Sequence, residues 1–267
     1  MPPTGPLTPA GLLTAALRRE PAAPLVTFYD DVSGERTELS ATTLANWVAK
    51  TANLLQEEFD VGPGSTVGLA LPVHWQTAAV LLGVWSCGAV VWETAAEDDD
   101  RLVDADLVLA AADRLPPLEE LGLEELLGLS LHPLGMGMTG YTGPARDFAL
   151  EVRAHGDVFT PWQPVDPAAP GLRAGALELT LGGLVDAAAE LAARLGISAG
   201  DRVLVDERTA VEAGPVAWLL ALLSAGASLV LCRSAAPAGL AHRAATERVT
   251  ATLGLKLDGI RELGRPA

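Results

Sequence analysis

Polar side chains follow two apolar segments at matching places in the chain. His74 and Trp75 come after residues 67–71, and Asp206 and Arg208 come after residues 203–205. Ligands of parallel sheets bind at the carboxyl ends of the strands. These four residues therefore predict a small-molecule pocket between two subdomains. The alternative interpretation is an ordinary polar rim in which Asp206 and Arg208 form a weak surface ion pair.

A stretch rich in glycine and threonine could hold a phosphate. Small residues allow backbone N–H groups to close around an anion, and a neighbouring cation adds charge. The candidates are Thr139, Gly140, Thr142, Gly143 and Arg146. A phosphate cradle is one hypothesis for this stretch, and a turn-rich connection is the other.

No metal site and no catalytic residue are predicted. The four histidines, at positions 74, 132, 155 and 242, lack a second histidine or a cysteine at ligand spacing. His155 and Asp157 could pair a base with a carboxylate, but no motif marks a serine or cysteine nucleophile, which favours a surface turn. Cys87 and Cys232 lie in apolar runs. They predict buried, reduced thiols and a cytoplasmic protein.

Composition and charge exclude several classes of protein. Of 267 residues, 49% are hydrophobic and 19% are charged, which predicts a folded chain, and the net charge of −16 disfavours nucleic acid as a partner. Residues 61–92 and 213–232 carry no Asp, Glu, Lys or Arg. Gly88 and Gly226 divide each run into a helix, a turn and a short strand, so no membrane partner is expected.

An internal repeat organises these elements. Residues 38–44 match residues 178–184 at an offset of 140, and residues 61–67 match residues 197–203 at an offset of 136. The slip of four residues is close to one helical turn of about 3.6 residues, so an amphipathic helix keeps its apolar face across it. Short apolar strands alternate with helices in both copies. This pattern predicts an α/β fold of two related doubly wound subdomains with mainly parallel sheets.

The pattern also predicts element positions and domain boundaries. Domains are expected at 1–160 for the first α/β subdomain with its N-terminal helix and hairpin, 161–175 for a proline-rich linker, and 176–267 for the second, repeated subdomain. Helices are predicted at 41–58, 118–127, 184–195 and 241–248. A hairpin is predicted at 25–39, and strands at 89–92, 106–110, 227–232 and 249–253.

Three stretches within residues 37–92 resemble the opening of the adenylate-forming (AMP-binding) superfamily: TELSATTLANWVAKTANLL, VGPGSTVGLALP and AAVLLGVWSCGAVV. This superfamily includes acyl-CoA synthetases and peptide-synthetase adenylation domains. LTLGGLVDAAAELAARLGISAGDRVLV and LLALLSAGASLVLCR are similar to its second subdomain. The resemblance spans about residues 8 to 255. It implies an acid–thiol or acyl-AMP ligase ancestry, with ATP, Mg²⁺ and CoA as the cofactors of the family. It also implies that any ligand of this protein is a small acyl or nucleotide-like molecule.

The chain departs from that family at one place that matters for chemistry. The family holds ATP with a TSGTTG core followed by proline, lysine and glycine, just before the second copy. Here only Arg173, Ala174, Gly175 and Ala176 stand between residues 166–172 and 177–180, so the loop is expected to be deleted. The family's third subdomain and C-terminal lid are also expected to be missing, which makes the protein a truncated, degenerate relative.

Three functions remain open from the sequence. The first is a non-catalytic, cofactor-free protein with a small-molecule or protein-binding, regulatory role. The second is residual ATP- or acyl-binding ligase activity that uses residues 139–146. The third is a structural or assembly subunit whose exposed sheet edge is covered by a protein partner or, in a homodimer, by a second copy.

Overall fold

The computed structural model describes residues 7–93 and 100–264. Its helices, in chain order, are α1 Pro9–Arg19, α2 Ala41–Phe59, α3 Trp75–Ser86, α4 Leu115–Glu119, α5 Phe148–Glu151, α6 Leu181–Leu195, α7 Glu207–Pro215, α8 Ala221–Ala225 and α9 Pro237–Thr246. Its strands are β1 Pro24–Asp30, β2 Glu35–Ser40, β3 Thr66–Ala70, β4 Val90–Glu93, β5 Leu107–Ala111, β6 Leu126–Leu129, β7 Arg146–Asp147, β8 Pro170–Ala174, β9 Leu177–Thr180, β10 Arg202–Asp206, β11 Ser228–Arg233, β12 Ala251–Leu253 and β13 Arg261–Glu262.

The chain forms two compact units from interleaved segments. Within the described ranges, unit 1 comprises Met1–Leu44, Val73–Ala78 and Leu184–Ala267, and unit 2 comprises Ala45–Pro72 and Ala79–Gly183. Each unit contains one sheet. The strand order is β13-β12-β10-β11-β1-β2 in unit 1 and β7-β6-β5-β3-β4-β8-β9 in unit 2.

Both sheets are parallel except for one antiparallel hairpin at an edge, formed by β1 and β2 in unit 1 and by β8 and β9 in unit 2. The mainly parallel α/β fold predicted from the repeat is therefore confirmed. Such sheets need apolar strands because helices cover both faces. All five residues of β3 and all five of β5 are buried.

Strand pairing reveals how the two copies correspond. Val67 of β3 lies opposite Val91 and Leu107, and its counterpart Val203 of β10 lies opposite Leu229 and Ala251. Each hairpin also has its register shift directly after a first-strand proline, Pro24 in β1 and Pro170 in β8. The hairpins are exchanged, because β1 pairs with β11 of the second copy and β8 pairs with β4 of the first.

The helix predicted at residues 118–127 is wrong. α4 covers only Leu115–Glu119, and Leu126–Leu129 form strand β6 beside β5. Pro116 and Pro117 fit the first turn of a helix, where their missing N–H groups need no partner. Gly122 adopts a φ of +68° soon after the helix ends. The apolar residues that follow are then free to add a strand to the sheet.

Other elements agree with the expectations, with shifted boundaries. The predicted hairpin at 25–39 and the helix at 41–58 are present as β1–β2 and α2. α9 begins earlier than expected, at Pro237, a residue suited to the first helical position. Within the segment 161–175, which was expected to be a proline-rich linker, residues 170–174 form strand β8. Over the part of the chain that the structure describes, no helix combines the length and the apolar character that crossing a membrane requires.

Candidate functional site

Strands β8 and β9 are joined by a turn of two residues. Ala174 lies opposite Leu177, which leaves only Gly175 and Ala176 between the strands. Gly175 has a φ of +58°, and a Cβ atom placed there would meet no other atom within 4 Å. Glycine is therefore required by the backbone and not by packing, as in the tight mirror-image turns that connect hairpin strands. The connection between the two strands is therefore a tight turn of two residues.

A cavity of about 190 Å³ opens beside this turn, within unit 2. It lies at the carboxyl end of β4, where ligands of parallel sheets bind. The residues that line it come from β4, from the 3-10 turn Asp100–Asp104 and from the β8–β9 hairpin: Trp92, Glu93, Arg101, Leu102, Arg173, Gly175, Ala176, Leu177 and Glu178. Sequence reasoning missed this cavity, although it did single out the shortened segment that forms one wall.

Cationic, anionic and aromatic groups meet in the cavity. The Arg173 guanidinium carbon lies 5.8 Å from the centroid of the Trp92 ring, and Arg173 Nε donates a 3.1 Å hydrogen bond to Glu178 Oε2. Both members of this ion pair are exposed, so it contributes less than about 1 kcal/mol to stability. The Glu93 side chain is open to the cavity, yet desolvation by the surrounding protein raises its pKa to about 7.

His74 and Trp75 are buried in unit 1, each 1% exposed, and both face Glu35. Glu35 Oε1 accepts a 2.9 Å hydrogen bond from Trp75 Nε1, and Glu35 Oε2 lies 3.5 Å from His74 Nε2. His74 Nδ1 accepts the backbone N–H of Gln76 at 3.1 Å, which assigns the ring proton to Nε2. Nothing in the sequence marked Glu35, because it follows an ordinary Ser-Gly turn.

Asp206 is the last residue of β10, Arg208 lies in the first turn of α7, and both belong to the same unit. Asp206 Oδ1 accepts a 2.9 Å hydrogen bond from the Thr209 backbone N–H, so it caps α7, and Arg208 is exposed. The cap is a structural role that the sequence pattern did not separate from ligand binding. The pocket proposed for His74, Trp75, Asp206 and Arg208 stays a prediction.

Arg146, the cation of the stretch 139–146, lies among acidic side chains. Arg146 donates to Glu151 at 2.8 Å and to Glu58 at 3.1 Å, and its guanidinium carbon lies 4.4 Å from the centroid of the Phe59 ring. The backbone N–H of Ala145 is also used, by the Tyr141 hydroxyl at 2.9 Å. A phosphate at this stretch would have to compete with two carboxylates for the same guanidinium.

An ion network in unit 1 also escaped sequence reasoning. The Glu247 side chain is 6% exposed and accepts hydrogen bonds from Tyr29 at 2.5 Å, Arg36 at 2.9 Å and Arg202 at 2.6 Å. Tyr29 and Glu247 are 218 positions apart. No local pattern could have predicted the contact. Within residues 7–93 and 100–264, no group of three or more His, Cys, Asp or Glu side chains is placed to hold a metal ion.

Three comparisons place this chain among known proteins. No family model matches it. A Mycobacterium tuberculosis (strain ATCC 25618 / H37Rv) protein described as a TIGR03089 family protein is 46% identical over 259 residues, which cover 94% of this chain and 100% of that protein.

Solved structures share the fold at low sequence identity. A Brucella canis acyl-CoA synthetase has a TM-score of 0.74 at 18% identity and matches 94% of this chain with 48% of its own. An anthranilate CoA ligase in complex with anthranoyl-AMP has a TM-score of 0.72 at 16% identity and matches 92% of this chain with 48% of its own. A Mycobacterium tuberculosis fatty acyl CoA synthetase has a TM-score of 0.71 at 14% identity and matches 92% of this chain with 49% of its own.

The present chain thus spans about half the length of these structures and has the fold of the N-terminal part of adenylate-forming enzymes. The 46% identity to the Mycobacterium tuberculosis relative extends over nearly the whole chain. On that evidence the protein belongs to the TIGR03089 family.

Proposed function

We propose that this protein is a non-catalytic member of the acyl-CoA synthetase-like fold that binds a small molecule in the cavity beside the β8–β9 turn. The observation that carries the proposal is the two-residue turn at Gly175 and Ala176. The family that the sequence resembles has a glycine- and serine/threonine-rich phosphate loop at this point. Such a loop needs several converging backbone N–H groups and a lysine.

The residues at the turn do not fit a nucleotide triphosphate. Arg173 is the nearest cation to the turn in the chain, and it is paired with Glu178. Acyl adenylation builds negative charge on the departing pyrophosphate, and the loss of even one preorganised donor costs an enzyme about 10²–10³ in rate. We therefore assign no catalytic residue, and we derive no step through ATP, Mg²⁺ or CoA.

The cavity supports binding because it combines apolar and polar walls. Trp92, Leu102 and Leu177 offer apolar surface, and Arg101 and Glu93 offer charge. Small-molecule sites generally combine such a lining with a few polar groups that orient the ligand. The two buried cysteines suit a reducing compartment, so we propose a cytoplasmic location.

Calorimetric titration tests the absence of nucleotide chemistry. We expect no heat from MgATP, AMP or CoA, and no AMP release when MgATP, CoA and a panel of short carboxylic acids are mixed with the protein. MgATP binding that disappears in Arg146→Ala but persists in Arg18→Ala, an exposed arginine of α1, would instead support residual ligase chemistry at residues 139–146.

A cavity-filling variant tests the binding role. The panel is benzoate, benzamide and benzylamine, which share one ring and differ in charge. We expect at least one of them to bind the wild type and to lose binding in Ala176→Trp, which places an indole at the cavity wall. The control is Ala189→Trp on the exposed face of α6. If none of the three compounds binds the wild type, the proposed binding role is wrong.

The exposed edge of the unit 2 sheet favours a second candidate. β9 is the last strand of that sheet, and Leu177 at its start is 51% exposed. Unpaired edges invite another chain, so an assembly role with a protein partner or a second copy is the alternative. Light scattering tests the homodimer. A measured mass of one chain, 27.6 kDa, at every protein concentration would exclude a homodimer.

A further inference from the structure

Residues 155–162 of unit 2 form an extended strap along helix α2. The strap belongs to no helix or strand, and five of its eight residues are exposed. Its large apolar side chains face solvent, since Val158 is 82% exposed and Trp162 is 64% exposed. Among the described residues, no backbone–backbone hydrogen bond involves residues 156–165. The backbone of the strap therefore depends on side chains for its hydrogen bonds.

Side chains of α2 bind the first half of the strap. Asn53 Nδ2 donates hydrogen bonds to the carbonyls of Gly156 and Val158, at 3.0 Å each. Lys50 Nζ donates to the carbonyl of His155. Lys50 and Asn53 are three positions apart, so they lie on the same face of the helix. This face contacts the main chain of the strap and not its apolar side chains.

Gln56, three positions further along α2, binds the second half of the strap. Its Nε2 donates to the Thr160 carbonyl at 3.3 Å, and its Oε1 accepts the Trp162 backbone N–H at 2.8 Å. Asn53 is only 7% exposed and Gln56 only 5%. A buried amide without partners would cost free energy, so the strap backbone satisfies two polar side chains that would otherwise destabilise the helix face.

Two ion pairs join the same partners. His155 Nδ1 lies 2.9 Å from Glu57 Oε2, and Lys50 Nζ lies 3.2 Å from Asp157 Oδ1. The carboxylates of Glu57 and Asp157 are both about half exposed, so each pair contributes less than about 1 kcal/mol. The hydrogen bonds of Asn53 and Gln56 are therefore the main polar attachment of the strap.

Both ends of the strap are fixed by other parts of unit 2. Before the strap, Val152 is fully buried, and Arg153 Nη2 donates to the Gly135 carbonyl at 2.6 Å. After it, Trp85 Nε1 donates to the Gly171 carbonyl at 2.8 Å, at the start of β8. These anchors confine any opening to the segment between them.

We propose that the strap is a conformational device that releases from α2 as one unit while its ends and the sheet of unit 2 stay in place. Segments with few buried contacts open locally far more often than the whole protein unfolds. Water replaces the strap at Asn53 and Gln56 on release, so each lost hydrogen bond has a small net cost. The open state exposes one ammonium and two amide groups in a row on α2. Such a row can bind the backbone of any extended chain, whatever its side chains.

Amide hydrogen exchange followed by ¹⁵N NMR tests the proposal, with the Trp162 backbone N–H as the reporter. In the wild type this N–H should be protected, and its exchange rate should not depend on urea below the unfolding transition. Asn53→Ala should raise the rate roughly tenfold, because two hydrogen bonds of typical net strength are lost from the closed strap. The Trp162 bond to Gln56 is intact in this variant, so the effect requires release as one unit.

Two controls accompany this measurement. Asn46→Ala makes the same change in α2 about one turn before Lys50, where the strap begins, and should leave the Trp162 rate unchanged. The indole N–H of Trp85 reports on the anchor at Gly171 and should exchange at the same rate in all three proteins.

Three results would overturn the proposal. An unchanged Trp162 rate in Asn53→Ala would show that the hydrogen bonds break separately. A parallel rise at the Trp85 indole would show that the anchors open with the strap. An unprotected Trp162 N–H in the wild type would show that the strap is not closed. If Asn53→Ala does not fold, the wild type decides the question: exchange at Trp162 with the same urea dependence as global unfolding would exclude a local release.

Discussion

The indole N–H of Trp75 donates a 2.9 Å hydrogen bond to Oε1 of Glu35, and both side chains are buried. The Thr37 hydroxyl donates to the same oxygen at 2.6 Å. Burial works to raise the pKa of Glu35, but the hydrogen bonds from His74, Thr37 and Trp75 outweigh it and hold the pKa below its usual 4.5. A charged carboxylate therefore fixes the start of α3 to the start of β2.

His74 should make the folded state sensitive to acid. Burial lowers the pKa of His74 below 6.5 despite the attraction of Glu35. Because the unfolded chain takes up a proton on this ring more readily than the folded chain, stability is fully present above about pH 6.5 and is lost as the pH falls. The loss should reach at most about 1.4 kcal/mol per pH unit. Urea unfolding at pH 7, 6 and 5 measures it.

The matching variant is His74→Gln, with exposed His242→Gln as its control. His74→Gln should show a flatter dependence of the unfolding free energy on pH over this range. His242→Gln should follow the wild type. Identical slopes in all three proteins would contradict a neutral, buried His74.

Glu247→Gln should destabilise the fold strongly. The carboxylate is 6% exposed and pairs with Arg202, whose side chain is 15% exposed. Removing one partner of a buried ion pair leaves the other charge buried without a counter-charge, which lowers the free energy of unfolding by about 3 kcal/mol or more. Chemical unfolding at pH 7 measures the difference. The exposed Glu262→Gln in β13 is the control and should change the unfolding free energy by less than about 0.5 kcal/mol.

Gly175→Ala tests the two-residue turn. The φ of +58° is costly for any residue with a Cβ, so we expect a loss of about 1–2 kcal/mol in unfolding free energy. Gly175→Asn should cost less because asparagine tolerates this conformation better. Gly62→Ala is the matched control, since Gly62 also has nothing within 4 Å but its φ is not positive. An equal effect of both alanine variants would mean that the turn is not strained.

Both thiols should be unreactive in the folded protein. Cys87 is 1% exposed and Cys232 is fully buried, and desolvation raises the pKa of each to about 12. Reactive cysteines are accessible thiolates, so a thiol reagent at pH 8 should label neither residue on the time scale on which it labels the urea-unfolded chain. Absorbance of the released chromophore measures both rates. A rapid burst from one thiol in the folded protein would show that the site opens.

Periodicity carried most of the fold prediction. The apolar stripe of α2 and the mostly apolar strands β3 and β5 are local patterns, which can be read from the sequence without knowledge of the neighbouring segments. The helix predicted at 118–127 failed because a run of leucines suits a buried helix and a buried strand equally well. Gly122 and the neighbouring strand β5 decided between them.

By itself the sequence determined the repeat and the mainly parallel sheets, because these depend on residue order and spacing alone. Only the tertiary structure decided that the hairpin of each copy pairs with the sheet of the other copy. It also decided that Glu35 lies within hydrogen-bond distance of His74 and Trp75, and that Glu93 lines a cavity. The physical reason is distance along the chain. Contacts between β4 and β8, or between Tyr29 and Glu247, arise from the packing of segments far apart in sequence, and no local pattern encodes which of these segments will meet.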